Sequence, residues 1–212
     1  MEARREPERP DPPTLADAIG GPLGLAETSL PAVAFVAAYA VTGSRTQTAA
    51  IIAVGVAAIL VAIRLFRRES PQHVLPGLIG VGFAAFIATR SGKAENFFLP
   101  GLLANAGYAA AFLISIAIRR PLVGVIVGQL DGEGQRWRED PLRFRAFTRA
   151  SLLWAGLFLG RLMVQLPLYL AGAVVALGVA RTAMGLPLFI AGLWLTMRMV
   201  RRTRPEPPLS GV

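Results

Sequence analysis

Several stretches of this chain run for 16 residues or more without a charged side chain, among them Thr46–Ile63, Val74–Thr89 and Asn96–Ile118. This feature constrains the fold more than any other. Uncharged apolar runs of that length read as helices that cross a bilayer. They lack the strict alternation of outer-membrane barrel strands and are too long for them. The overall hydrophobic fraction of 54% decides little by itself, because soluble domains reach about 45–50%.

The pattern predicts an all-α fold, a polytopic integral membrane helical bundle of about six transmembrane helices. They are expected over 24–42, 47–63, 74–90, 97–118, 148–172 and 182–199. The transmembrane domain is then 15–200, with a cytoplasmic loop at 119–147. Polar tails at 1–14 and 201–212 cannot bury apolar surface and are expected to be disordered. Several runs of 16–18 residues rise ~24–27 Å at ~1.5 Å per residue, a little short of a ~30 Å hydrocarbon core. Flanking residues must finish such spans, or the bilayer thins around them.

Charge placement predicts the orientation. Of the 22 Lys and Arg residues, 17 fall in the tails and in the loops after the second and fourth spans. Four (Arg45, Arg90, Lys93 and Arg181) fall in the other loops, and Arg161 lies within a span. Such a bias over short loops puts both termini in the cytoplasm of a bacterial inner-membrane protein. The same placement, at the ends of apolar runs, argues against nucleic acid as the partner of the +9 net charge. The expected partner is the bilayer, with anionic lipids attracted to Arg143, Arg145 and Arg149 at the cytoplasmic face. A homo-oligomer or a membrane-protein partner is a further expectation.

Several chemistries are excluded. The chain has no cysteine and a single histidine, His73, which leaves no disulfide, thiol nucleophile or multi-histidine metal site. No spacing resembles a catalytic dyad, so no enzymatic activity, catalytic residue, cofactor or metal is expected. His73 reads as a solvated loop residue. Trp154, Tyr39 and Tyr169 read as interfacial belt residues. Small residues at four-residue spacing (Ala49, Ala53 and Ala57; Gly80, Ala84 and Ala88; Gly156 and Gly160) predict close helix packing. "PLVGVIVGQL" at 121–130 is too short to cross and is expected to lie at the interface or re-enter. After it, Asp140 and Pro141 have the residue types of an N-cap and a first helical position.

Two segments look alike. "ETSLPAVAFVAAY" (27–39) and "ENFFLPGLLANAGY" (95–108) each place a Glu, a Leu-Pro and a Tyr in matching order. They open spans one and four, which run in opposite directions under the counted topology. That is the pattern of an inverted three-plus-three repeat, an architecture of many secondary transporters.

The segments "GGPLGLAETSLPAVAFVAAYAVTG", "IRLFRRE", "SGKAENFFLPGLLANAGY" and "RRPLVGVIVGQL" carry a resemblance, as do "FLGRLMVQLPLYLAG" and "GLPLFIAGLWLT". Together they resemble an uncharacterised family of actinobacterial polytopic membrane proteins over roughly residues 15–200. The "LP…F…Y" opening is more remotely similar to intracellular septation protein A-type membrane proteins. The resemblance implies an integral membrane protein and supplies no site residues.

The candidate site comes from the residues themselves. Arg161 sits in the apolar stretch Leu152–Gly172, ~16 Å from an entry near Ala150 at ~1.5 Å per residue. A charge at that depth costs at least ~2.5 kcal/mol on insertion scales, so it should face the bundle interior with partners. Gln165 is one turn on. Asn105 and Tyr108 lie at a compatible depth in span four, and Glu27 is the nearest candidate counter-charge in a span. Two functions follow as expectations: a small-solute transporter or channel-like protein using this site, or a non-enzymatic envelope or cell-division-associated protein acting through partners.

Overall fold

The computed structural model describes residues 21–67, 75–132 and 134–201, with side-chain placements beginning at Ser29. The described residues are helical, without strands. In chain order they form α1 (Gly21–Val41), α2 (Thr46–Phe66), α3 (Leu75–Ser91), a 3-10 turn (Ala94–Phe98) and α4 (Leu99–Ala117). There follow α5 (Leu122–Leu130), a second 3-10 turn (Arg136–Arg138), α6 (Pro141–Leu170), α7 (Val174–Ala183) and α8 (Leu186–Arg201). Residues 1–20, 68–74 (with Arg68 and His73), 133 and 202–212 lie outside the described residues.

Four segments are long and apolar enough to cross a membrane: Thr46–Phe66, Ala94–Ala117, Pro141–Leu170 and Val174–Arg201. Two shorter apolar helices, Ser29–Val41 and Pro76–Ser91, accompany them. Large apolar side chains such as Ile51, Ile79, Leu103 and Met163 are well exposed. Water would penalise that surface and lipid does not. The chain is an all-helical, membrane-embedded protein.

The helices pack in two meanders. In one, α2 lies against both α1 and α3; in the other, α6 lies against α4, α7 and α8. The two meet where α1 packs on α7 and the first 3-10 turn. Without a hydrophobic force between helices in lipid, close approach needs small side chains. Ala49, Ala53 and Ala57 are buried on α2, as their spacing predicts, and Ala84 and Ala88 on α3. Gly178 does the same for α7, since a Cβ there would collide with Val36 of α1. Gly156 and Gly160 depart from the expectation: nothing lies within 4 Å of the position their Cβ atoms would take. That face of α6 is open. The centre of the fold is aromatic. Phe35 is fully buried and stacks on Phe97 at 4.0 Å, with the edge of Phe98 6.0 Å away.

Two sequence expectations are corrected. The last span begins at Val174 rather than residue 182, and it is broken at Met184 and Gly185. Pro187 lacks an N–H to continue the ladder back to the Ala183 carbonyl, so α7 ends there and α8 restarts. Trp154 is not a lipid-facing belt residue. Its indole N–H donates to Thr196 Oγ1 at 3.0 Å, and its ring meets Phe112, Phe158 and Phe189 between three helices. Arg143, at the start of α6, is buried with its guanidinium over the Phe147 ring.

The connection between α4 and α6 is built rather than loose. Asp140 caps α6 as expected, accepting from the backbone N–H groups of Leu142 and Arg143 at 2.8 and 3.4 Å. The first N–H groups of α5 find two serines: Leu122 donates to Ser115 Oγ at 3.1 Å and Val123 to Ser151 Oγ at 3.2 Å. Trp137 is buried against Gly124 and Gly128, and its indole N–H donates to the Gly134 carbonyl at 3.1 Å. A Cβ at either glycine would strike the Trp137 ring. Segment 121–130 is therefore a short helix packed on α6, with Ile126 and Leu130 exposed on its far side.

Candidate intramembrane arginine site

Helical periodicity puts Phe158, Arg161 and Gln165 on one face of α6, and Gly101, Asn105, Tyr108 and Phe112 on one face of α4. Ring contacts fix how those faces meet. Tyr108 is 5.2 Å from Phe158, whereas Phe112 reaches both Phe158 (6.0 Å) and Trp154 (6.4 Å). The helices are thus antiparallel, and the same register carries Asn105 to the level of Arg161 and Gly101 to that of Gln165.

Arg161 Nη2 donates to the Gly185 carbonyl at 2.7 Å. Its guanidinium lies 5.9 Å from the Phe158 ring centroid, and its Nε is buried without a hydrogen-bond partner. The acceptor is the carbonyl at the break between α7 and α8, which also receives the Phe189 N–H at 3.2 Å. The broken span thus brings a carbonyl to Arg161. Among the described residues, the hydrogen bond from Arg161 goes to that backbone group rather than to Gln165, Asn105 or Tyr108. Gln165 is buried one turn away. Tyr108 is 56% exposed and covers Phe158. Glu27 falls in α1, and its side chain lies outside those described.

A second arginine joins the site. Arg181, expected in an outer loop, is instead within α7, its guanidinium 5.8 Å from the Phe98 ring centroid. It fills the space that a Cβ on Gly101 would need, so that glycine is what lets it reach α4. The Phe98 wall is held by Tyr169, whose hydroxyl donates to Asn96 Oδ1 at 2.6 Å and ties the 3-10 turn to the end of α6. Arg181 meets Gly101, at the level of Gln165, and Arg161 lies one turn away on α6, with no ion pair to a carboxylate among the described residues. Counted from the hairpin, Arg161 is nine residues below Leu170 and Arg181 seven below Val174, or ~14 and ~10 Å at ~1.5 Å per residue.

The sequence held one signal for Arg181. Seven uncharged residues, Val174–Ala180, precede it after the Gly172 turn, too many apolar residues for a loop. A pocket of about 810 Å³ opens elsewhere, at the far end of α4 and the start of α6, beside Arg119 and Arg138.

Residues 19–207 match the family model described as protein of unknown function (DUF3159). No curated protein and no solved structure matches the chain. The match takes in every described helix and both arginines, and the chain belongs to the DUF3159 family of proteins of unknown function.

Proposed function

We propose that this protein spans a bacterial inner membrane six times and passes a small anionic solute, with Arg161 and Arg181 as the groups that meet it. One observation carries the reading: two guanidiniums meet the α4–α6 seam about one turn apart, without a carboxylate partner among the described residues. Each costs several kcal/mol to place there, and intramembrane charges that are not neutralised by the fold mark solute pathways. A discontinuous last span whose broken end meets the site fits the same reading. So does the packing order, in which α2 and α6 each lie centrally in their three-span half. Tyr39 and Tyr108, which an inverted repeat would pair, differ in surroundings: Tyr39 packs against the core, and Tyr108 is exposed.

With Arg181 moved into a span, the basic residues number 17 on the tail side and three on the other. That supports cytoplasmic termini. Reporter fusions after Arg68, Arg138 and Arg204 should read inside, and those after Arg45, Lys93 and Gly172 outside. One fusion on the wrong side removes the six-span arrangement.

Proteoliposomes loaded with a panel of small inorganic and organic anions test the function. Uptake of one class, lost in both Arg161→Gln and Arg181→Gln, is the expected result; no flux for any anion ends the transport reading. The alternative, an envelope or division-associated protein acting through partners, draws support from the open Gly156–Gly160 face of α6. Cross-linking from Gly156→Cys to another chain in intact membranes, without flux, is the outcome that favours it.

A further inference from the structure

Four arginines (Arg119, Arg136, Arg138 and Arg145) line the pocket of about 810 Å³, with the Phe144 ring and a single carboxylate, Glu139. All four are exposed, and among the described residues no ion pair joins Glu139 to any of them. Among the described residues, Arg138 Nη1 donates to Gln135 Oε1 at 2.9 Å. The floor is rigid, since Trp137, between Arg136 and Arg138, is buried against α5.

Arg119 supplies a second, independent observation. It has φ 56°, in the left-handed region that side chains other than glycine and asparagine rarely adopt. The hydrogen bonds explain the conformation. Arg119 N–H donates to the Ile116 carbonyl at 3.0 Å and Arg120 N–H to the Ser115 carbonyl at 2.8 Å, a Schellman closure of α4. Glycine is the usual residue there. An arginine at that position bears backbone strain and delivers a guanidinium to the pocket, and strain of this kind clusters at ligand sites.

The surroundings indicate where the ligand comes from. The pocket lies where α4 ends and α6 begins, at the ends of two segments long and apolar enough to cross a membrane. Ile118 and Leu142, each next in sequence to a lining residue, are 60% and 68% exposed. Planar guanidiniums bind phosphate oxygens in pairs, and an apolar rim suits acyl chains. We propose that this pocket binds the phosphate of an anionic phospholipid headgroup, a role separate from that of Arg161 and Arg181.

The test uses the full chain in detergent, with lipid retention measured by native mass spectrometry. Phosphatidylglycerol and phosphatidylcholine are compared, with inorganic phosphate as the soluble competitor. One phosphatidylglycerol should be retained in preference to phosphatidylcholine and resist millimolar phosphate. Each arginine removed should weaken retention about fivefold, so Arg119→Gly with Arg136→Gln and Arg138→Gln should weaken it ~100-fold. Arg45→Gln, exposed between α1 and α2 and outside the pocket, should change nothing. Arg119→Gly is the decisive variant. It relieves the backbone, so its Tm should hold or rise while retention falls. Retention of the two lipids alike, or an Arg119→Gly protein that keeps phosphatidylglycerol as wild type does, overturns the proposal. Displacement by inorganic phosphate overturns the lipid assignment in favour of a soluble phosphate.

Discussion

Arg161→Met should leave the bundle folded, raise its stability by about 1–2 kcal/mol, and abolish anion flux. A central arginine costs ~2.5–3.5 kcal/mol on insertion scales. Against that stand one charged hydrogen bond, to the Gly185 carbonyl, and one ring contact. A hydrogen bond to a charged group contributes a net ~1.5–3 kcal/mol to stability. Here its acceptor keeps the Phe189 N–H when the arginine is gone, so its loss leaves no orphan and costs less. The balance favours the variant in stability, as it commonly does where a residue serves a ligand. Reversible unfolding in mixed micelles reads the stability, and proteoliposome uptake reads the flux. A structural arginine gives the opposite result: Arg161→Met fails to fold, and Arg161→Lys partly restores it. Stability raised with flux unchanged would show that the arginine serves neither purpose.

Phe35→Ala should destabilise the protein by about 3 kcal/mol. Large-to-small changes at buried aromatic sites cost ~3–5 kcal/mol in soluble cores. The lower end applies in lipid, where the loss is mainly of packing contacts rather than of transfer from water. Phe35 is fully buried at the junction of the two meanders, stacked on Phe97 and edge-on to Phe98. Phe98 is also the ring over which Arg181 sits, so the same change should loosen the arginine site and reduce flux in whatever protein still folds. Phe86→Ala is the contrast. That ring is 57% exposed, and its removal should cost under about 0.5 kcal/mol. Equal losses for the two variants would mean that the aromatic junction does not hold the halves together.

The sequence by itself determined the helices, their membrane environment and much of their packing. Apolar runs free of charge cannot be satisfied in water, and the four-residue spacing of Ala49, Ala53 and Ala57 marks a buried face whatever packs on it. Asp140 and Pro141 marked the start of α6, because capping depends only on residues adjacent in the chain. The place of Arg161 along α6 was likewise legible, since rise per residue is a constant of the helix.

Tertiary structure decided what reaches that arginine. Gly185 lies 24 residues away in sequence, and its carbonyl is presented by a break whose position relative to α6 depends on the hairpin at Gly172. Arg181 looked like a loop residue because its charge was taken to mark a span's edge. Only the close approach permitted by Gly101 and Gly178 shows the space it occupies. Gly156 and Gly160 have the same spacing as the alanines of α2 and yet face outward. A small-residue stripe states that a neighbour can come close, and only the assembled bundle states whether one does. The left-handed Arg119 was equally hidden: its conformation is imposed by how α4 closes before Pro121, and nothing in an arginine codon's neighbours announces a backbone angle that glycine usually takes.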